Sequence, residues 1–170
     1  MTLAALNRLT RPQFEAELGG VFEHSPWVAS EAYAARPFAD LESLHAAMME
    51  AVLHASQEKQ LALIRAHPEL AGSEAKEGSL TPHSSSEQAR LGLDALSGEE
   101  FARIGTLNRR YRERFGFPCI IALRLHATRK SVLAEMERRL ANDDETEMRN
   151  ALAQIGHIAR GRLAKLLGEG

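Results

Sequence analysis

Ser97-Gly98-Glu99-Glu100-Phe101-Ala102-Arg103-Ile104-Gly105-Thr106-Leu107-Asn108-Arg109-Arg110-Tyr111 decides the fold class. Ser97 and Glu100 make the S-x-x-E pattern, in which a hydroxyl and a carboxylate satisfy the free N–H groups at a helix start. Behind them Phe101, Ile104, Leu107 and Tyr111 fall at three- and four-residue intervals, the spacing of one helix face. Working outward, the same grammar covers most of the chain. Upstream, Ser84-Ser85-Ser86-Glu87 fits S-x-x-E again, so a capping box is expected there. Thr10 can cap a helix with Pro12 in its first turn and Phe14 and Leu18 one turn apart, stopped by Gly19-Gly20. Ser25-Pro26 opens a segment that must end before Arg36-Pro37. Asp40 precedes Leu41, Leu44, Met48 and Val52, and Ser56 opens a helix with Leu61 and Ile64 that stops at His67-Pro68. Downstream, Thr128 caps Val132, Leu133, Met136 and Leu140; Asn142-Asp143-Asp144 breaks the chain before a last helix carrying Leu152, Ile155 and Leu163.

Two stretches escape that pattern. Residues 71–83 hold glycines, serines, charges and Pro82 with almost nothing apolar, which reads as a surface loop with at most a loose turn. Phe115-Gly116-Phe117-Pro118-Cys119-Ile120-Ile121-Ala122-Leu123 is continuously apolar and fits either a short strand or the buried start of a helix. An aromatic content of 5 % and six prolines argue against a many-turned β fold. The expectation is all-α: a single compact domain of about eight helices over residues 1–170.

Composition narrows the function classes. With 44 % hydrophobic and 26 % charged residues the chain is globular, not disordered. Lys and Arg total 21 against 23 Asp and Glu, a net charge of −2, so no broad positive field draws it to nucleic acid or anionic lipid. No apolar run approaches the ~20 residues of a membrane span, and neither end shows a signal or peroxisomal address, so a cytoplasmic protein is expected. The single cysteine, Cys119, makes no internal disulfide and lies in apolar sequence without an adjacent base, the setting of an inert core thiol. Seven histidines include no H-E-x-x-H, and there is no C-x-x-C, so no metal site is expected. Phosphate-cradling glycine motifs and G-x-S-x-G are absent too, which points to cofactor-free chemistry.

Three polar features remain. His67, before Pro68, sits where a helix must end; that edge favours imidazolium and suits acid–base work, but local sequence alone favours a cap on the last carbonyls. Ser84, Ser85, Ser86, Glu87 and Gln88 offer hydroxyls, a carboxylate and an amide beside a helix start, although a capping box needs no ligand. Arg160 and Arg162 lie on the last helix, where an inward arginine would anchor an anion and an outward one would be solvated.

Six motifs in order resemble the 2-oxo-4-hydroxy-4-carboxy-5-ureidoimidazoline (OHCU) decarboxylase family. They are Phe22-Glu23-His24-Ser25-Pro26-Trp27-Val28-Ala29, Arg36-Pro37-Phe38, Ile64-Arg65-Ala66-His67-Pro68-Glu69-Leu70-Ala71-Gly72, Ser84-Ser85-Ser86-Glu87-Gln88, Leu107-Asn108 with Tyr111, and Phe115-Gly116-Phe117-Pro118. The resemblance implies a cofactor-independent decarboxylase giving (S)-allantoin and CO2 in urate breakdown, on an all-helical fold that forms a homodimer. It implies His67 and Glu87 as the catalytic pair, and substrate contacts from Pro68, Ser84, Ser85, Ser86, Gln88 and the backbone of Cys119, Ile120, Ile121, Ala122 and Leu123. Arg162-Leu163 fits the family arginine better than Arg160-Gly161. The implied partner is a small ureidoimidazoline carboxylate, with no nucleic acid and no membrane. The competing reading, a non-enzymatic helical interaction module, explains amphipathic helices without a pocket.

Overall fold

A computed structural model describes residues 1–169, and they are helical almost throughout, with no strand among them. Ten α-helices run in order: α1 (Leu3–Leu6), α2 (Arg11–Leu18), α3 (Trp27–Ala32), α4 (Leu41–Leu53), α5 (Gln57–Ala66), α6 (Ser73–Glu77), α7 (Pro82–Arg90), α8 (Gly98–Phe115), α9 (Arg129–Arg139) and α10 (Asp144–Leu166). Tight 3-10 turns occupy Tyr33–Ala35 and Leu123–Leu125. The all-α expectation holds, and the short α1 and α6 account for the two helices beyond the expected eight. None of the helices among the described residues is long and apolar enough to cross a membrane.

Contacts gather into two units. One holds Met1–Ala66 and the chain from Gly156 onward; the other holds His67–Ile155. In the first, Leu41, Leu44, Met48 and Val52 line the buried face of α4, as their spacing requires, and Asp40 caps it by accepting from the Ser43 N–H at 2.7 Å. Thr10 and Gln13 close a capping box on α2. Phe14 meets Tyr33 edge-on at 5.4 Å and stacks on Phe38 at 6.3 Å. Phe14 and Phe38, both buried, each contribute roughly 1.5–3 kcal/mol.

In the second unit, Ile104, Leu107, Asn108 and Tyr111 form the buried stripe of α8, and Gly116 ends the helix at φ 78°, a conformation open to glycine. Tyr111 packs on Phe115 and Phe117. Beneath it lies a buried ion pair: Arg139 Nε donates to Glu147 Oε1 at 2.8 Å, with the two side chains 2 % and 0 % exposed. Tyr111 Oη donates to the same carboxylate oxygen, while Asn142 and Asn150 donate to Oε2 at 2.8 and 2.7 Å. Burial by itself would raise the Glu147 carboxyl; the bonds from Tyr111, Asn142 and Asn150 and the charge of Arg139 outweigh it and hold the group below the ordinary carboxylate range.

Candidate active site

His67 follows the last residue of α5, where Pro68 stops the helix, and it is buried. The turn after it is tied down from two helices. Gln88 of α7 accepts from the Ala71 N–H at 2.9 Å and donates to the Glu69 carbonyl at 3.4 Å. Asn108 of α8 donates to the Leu70 carbonyl at 2.8 Å, and Arg112 pairs with the Glu69 carboxylate.

The expected capping box at Ser84 is corrected by the structure. Helix α7 starts three residues earlier: Thr81 is the N-cap, accepting from the Ser84 N–H, and Pro82 occupies the first turn. The reason is conformational, because a proline ring fixes φ near the helical value and Thr81 before it is held extended. Ser84 therefore lies inside the helix, its N–H donating to the Thr81 cap, and Ser84, Glu87 and Gln88 share one side at i, i+3 and i+4. Ser84 and Gln88 are buried, Glu87 is half-buried, and Ser85 and Ser86 are exposed. A second correction concerns residues 71–83, where the five-residue α6 interrupts the expected loop and ends at Gly78 with φ 73°.

The apolar run after α8 is neither strand nor helix. Residues 117–122 are irregular and lead into the Leu123–Leu125 turn, with Cys119, Ile120, Ile121, Ala122 and Leu123 all buried. Side chains from three helices hold its backbone. Arg139 donates to the Ile120 carbonyl, Gln154 accepts from the Ala122 N–H at 2.8 Å, and Arg90 at the end of α7 donates to the Leu123 carbonyl. Burial pushes the Cys119 thiol up to about 12; Arg139 opposes and Glu147 adds to the rise. A thiol so raised is no nucleophile at neutral pH.

Helix α7 thus ties two of the three polar features into one unit, with Gln88 on the His67 turn and Arg90 on the 119–123 segment. Beside α7 is a cavity of about 310 Å3 lined by Ser85 and Gln88 together with Lys76, Leu93, Asp94 and Phe101. At about 100° per residue, Glu87 points to the opposite side of Ser84 from Ser85, so this cavity and the Glu87 carboxylate occupy different flanks of the helix.

The two candidate arginines belong to the other unit and differ sharply. Arg160 pairs with Glu42 at the surface. Arg162 is buried and donates to Glu23 Oε1 at 2.9 Å and to the Val21 carbonyl at 3.2 Å. Reading the sequence for sites passed over Arg139 and Glu147, although a signal existed. Arg139 continues the buried stripe of Val132 and Met136 at i, i+4 and i+7, and Glu147 begins the stripe of Ala151 and Ile155. No group of three or more His, Cys, Asp or Glu able to hold a metal occurs among the described residues.

Comparison with known proteins agrees along the chain. A family model described as OHCU decarboxylase matches residues 7–164. The 2-oxo-4-hydroxy-4-carboxy-5-ureidoimidazoline decarboxylase of Haloferax volcanii is 42 % identical over 165 residues, covering 97 % of this chain and 95 % of that one. The like-named protein of Mus musculus is 37 % identical, covering 99 % and 94 %. The bifunctional uric acid degradation protein of Bacillus subtilis is also 37 % identical, and there the match spans 33 % of the longer chain. A solved (S)-allantoin synthase superposes with a TM-score of 0.75 at 31 % identity, covering 98 % of this chain and 54 % of that one. An OHCU decarboxylase crystallised in the presence of (S)-allantoin gives 0.69 at 19 % identity, a likeness of fold.

Proposed function

The chain belongs to the OHCU decarboxylase family, and from that premise we propose how its own residues carry the reaction. As a carboxy-lyase of this family it acts in urate degradation, converting OHCU to allantoin and CO2. The observation that carries the assignment is the 42 % identity to a decarboxylase along 97 % of the chain.

In the substrate, the carboxylate sits on a hydroxyl-bearing ring carbon next to a C=N bond. When the C–C bond breaks, its electron pair passes into that conjugated system, so the substrate provides its own electron sink. The hydroxyl proton is surrendered as its carbon becomes a carbonyl, and a proton is delivered to the neighbouring ring carbon; one further proton from water balances the charge of the departing carboxylate. His67 takes the hydroxyl proton, with Glu87 as its proton partner, and delivery to one face gives the (S) product. Acid–base work of this kind contributes roughly 10²–10⁴-fold, and orientation supplies much of the rest. Pro68, Ser84, Ser85 and Ser86, with the backbone of residues 119–123, are proposed to hold the ring and ureido group. The anchoring of that backbone by Arg139, Gln154 and Arg90 supports its part, because backbone groups fixed in advance cost little to use. Gln88 is proposed to contact the substrate as the family resemblance implies, and its amide also bonds the turn after His67. Arg162 is proposed as the anion contact that family membership implies, sharing its charge with Glu23. Residues 1–170 are proposed to act as one decarboxylase domain, in a cytoplasmic homodimer, without metal or organic cofactor.

The test is to generate OHCU freshly and follow it by circular dichroism. The protein accelerates formation of optically pure allantoin, and His67→Asn is slower by about the 10²–10⁴-fold of lost acid–base catalysis. A wild-type rate no faster than spontaneous decay overturns the assignment, while an undiminished variant overturns only the role of His67.

A further inference from the structure

Directly after His67 the chain makes a tight turn through Pro68, Glu69, Leu70, Ala71 and Gly72. Ala71 sits at φ 49°, in the left-handed region that costs a residue with a Cβ free energy. A Cβ added to Gly72 would lie 2.8 Å from that of Glu69, so only glycine fits there. Strained turns persist where their surroundings over-determine them. Three consecutive residues of this one are each held by a side chain from another helix. The Glu69 carbonyl and Ala71 N–H are held by Gln88, and the Leu70 carbonyl by Asn108. Both holding side chains are buried, at 4 % and 5 % exposure. Asn108 Oδ1 is buried with no hydrogen-bond partner among the described residues. An amide with one end unsatisfied is a poor stabiliser, because the desolvation of that end offsets the bond made by the other.

We propose that Asn108 is a positioning residue for His67, fixing together with the Gln88 amide the turn that starts at its backbone and so the direction of the imidazole. The proposal rests on the reading of His67 as the acid–base group. A displacement on the order of 1 Å at a reacting group costs about 10²-fold, and a group that only aims a catalyst acts on the transition state more than on substrate binding. Removing it lowers kcat and kcat/KM together and leaves KM nearly unchanged.

The test compares wild type with Asn108→Leu, Gln88→Leu and Gln88→Glu, and reads three quantities. In Asn108→Leu, kcat falls by about 10- to 100-fold with KM little changed, while the Leu70 carbonyl left without its donor lowers the thermal midpoint by roughly 2–12 °C, so rates are compared well below it. Gln88→Leu also loses activity, and Gln88→Glu, which keeps the acceptor for the Ala71 N–H, recovers part of it. The third readout needs no turnover: the imidazole titration of His67, followed by NMR and assigned with His67→Asn, shifts its midpoint in Asn108→Leu. A rise in KM at constant kcat in Asn108→Leu makes that side chain a substrate contact and overturns the proposal. So does an unmoved His67 titration, or a loss of activity that only follows loss of folded protein in all three variants. If His67→Asn is fully active, the reading of His67 fails by itself, and the NMR arm still decides whether the turn is held by Asn108.

Discussion

Replacing Glu147 by leucine is the sharpest test of how the second unit is held together. The side chain is about the same size, so packing is kept while the carboxylate goes. The substitution leaves the Arg139 guanidinium 2 % exposed without its counter-charge and removes the acceptor of Tyr111, Asn142 and Asn150. Breaking a buried pair from one side costs about 3–5 kcal/mol, because a charge is left desolvated. For a chain of this size each kcal/mol moves the midpoint by roughly 2–4 °C, so the thermal transition should fall by roughly 6–20 °C. Arg138→Ala is the control, since it breaks an exposed pair with Glu135 one residue from Arg139 and should cost no more than about 1 kcal/mol. Arg139→Met with Glu147→Leu should recover much of the loss, because the stranded charge is gone. The pH dependence has a definite sign. The Glu147 carboxyl is held below its unfolded value, so its contribution is complete above about pH 4.3 and is lost as pH falls through the folded value. Thermal and urea unfolding followed by circular dichroism, from pH 7 to pH 3, measures all of this. A Glu147→Leu loss no larger than the Arg138 control, or a double variant no better than the single one, refutes the reasoning.

Two further outcomes follow from the corrected start of α7 and from the buried thiol. Thr81→Ala should cost about 1 kcal/mol of stability as a lost N-cap, whereas Ser84→Ala should slow decarboxylation instead. Urea midpoints and rates separate the two, and the reverse pattern would return the cap to Ser84. The Cys119 thiol, pushed up to about 12 by burial, should resist a disulfide reagent in the native protein at pH 8 and react at once in denaturant; rapid native labelling would show the segment to be open.

Much of the fold was legible because helix starts are local events. Thr10, Asp40, Ser97 and Thr128 each accept from the backbone N–H three residues on, as their types and spacing require. Where two local rules competed, the rule that fixes a dihedral won: Ser84 and Glu87 satisfied a side-chain pattern, but Pro82 pinned the backbone one turn earlier. Helix α6 had no such signature. It buries no residue, so apolar spacing could not reveal it, and Gly78 marks only its end.

The site was legible in proportion to how far its contacts reach along the chain. His67 could be singled out because Pro68 ends its helix one residue later. Residues 117–122 could not be assigned, because their shape is set by Arg90, Gln154 and Arg139, which lie far along the chain in sequence and on separate helices. The same is true of Asn108 and Gln88, whose partners are backbone atoms of a turn 38 and 17–19 residues away. Charge explains the remaining miss: Arg139 and Glu147 occupy positions that periodicity marks as buried, yet residues of their type are normally solvated. A charged residue on an apolar stripe is therefore best read as half of a pair, and the search should look across the next helix break for the other half. Here that partner lies eight residues on, across the Asn142-Asp143-Asp144 break that first appeared only to end a helix. Its carboxylate accepts from Arg139, and Arg139 in turn holds the Ile120 carbonyl, so the ion pair that stabilises the unit also fixes the segment proposed to receive the substrate.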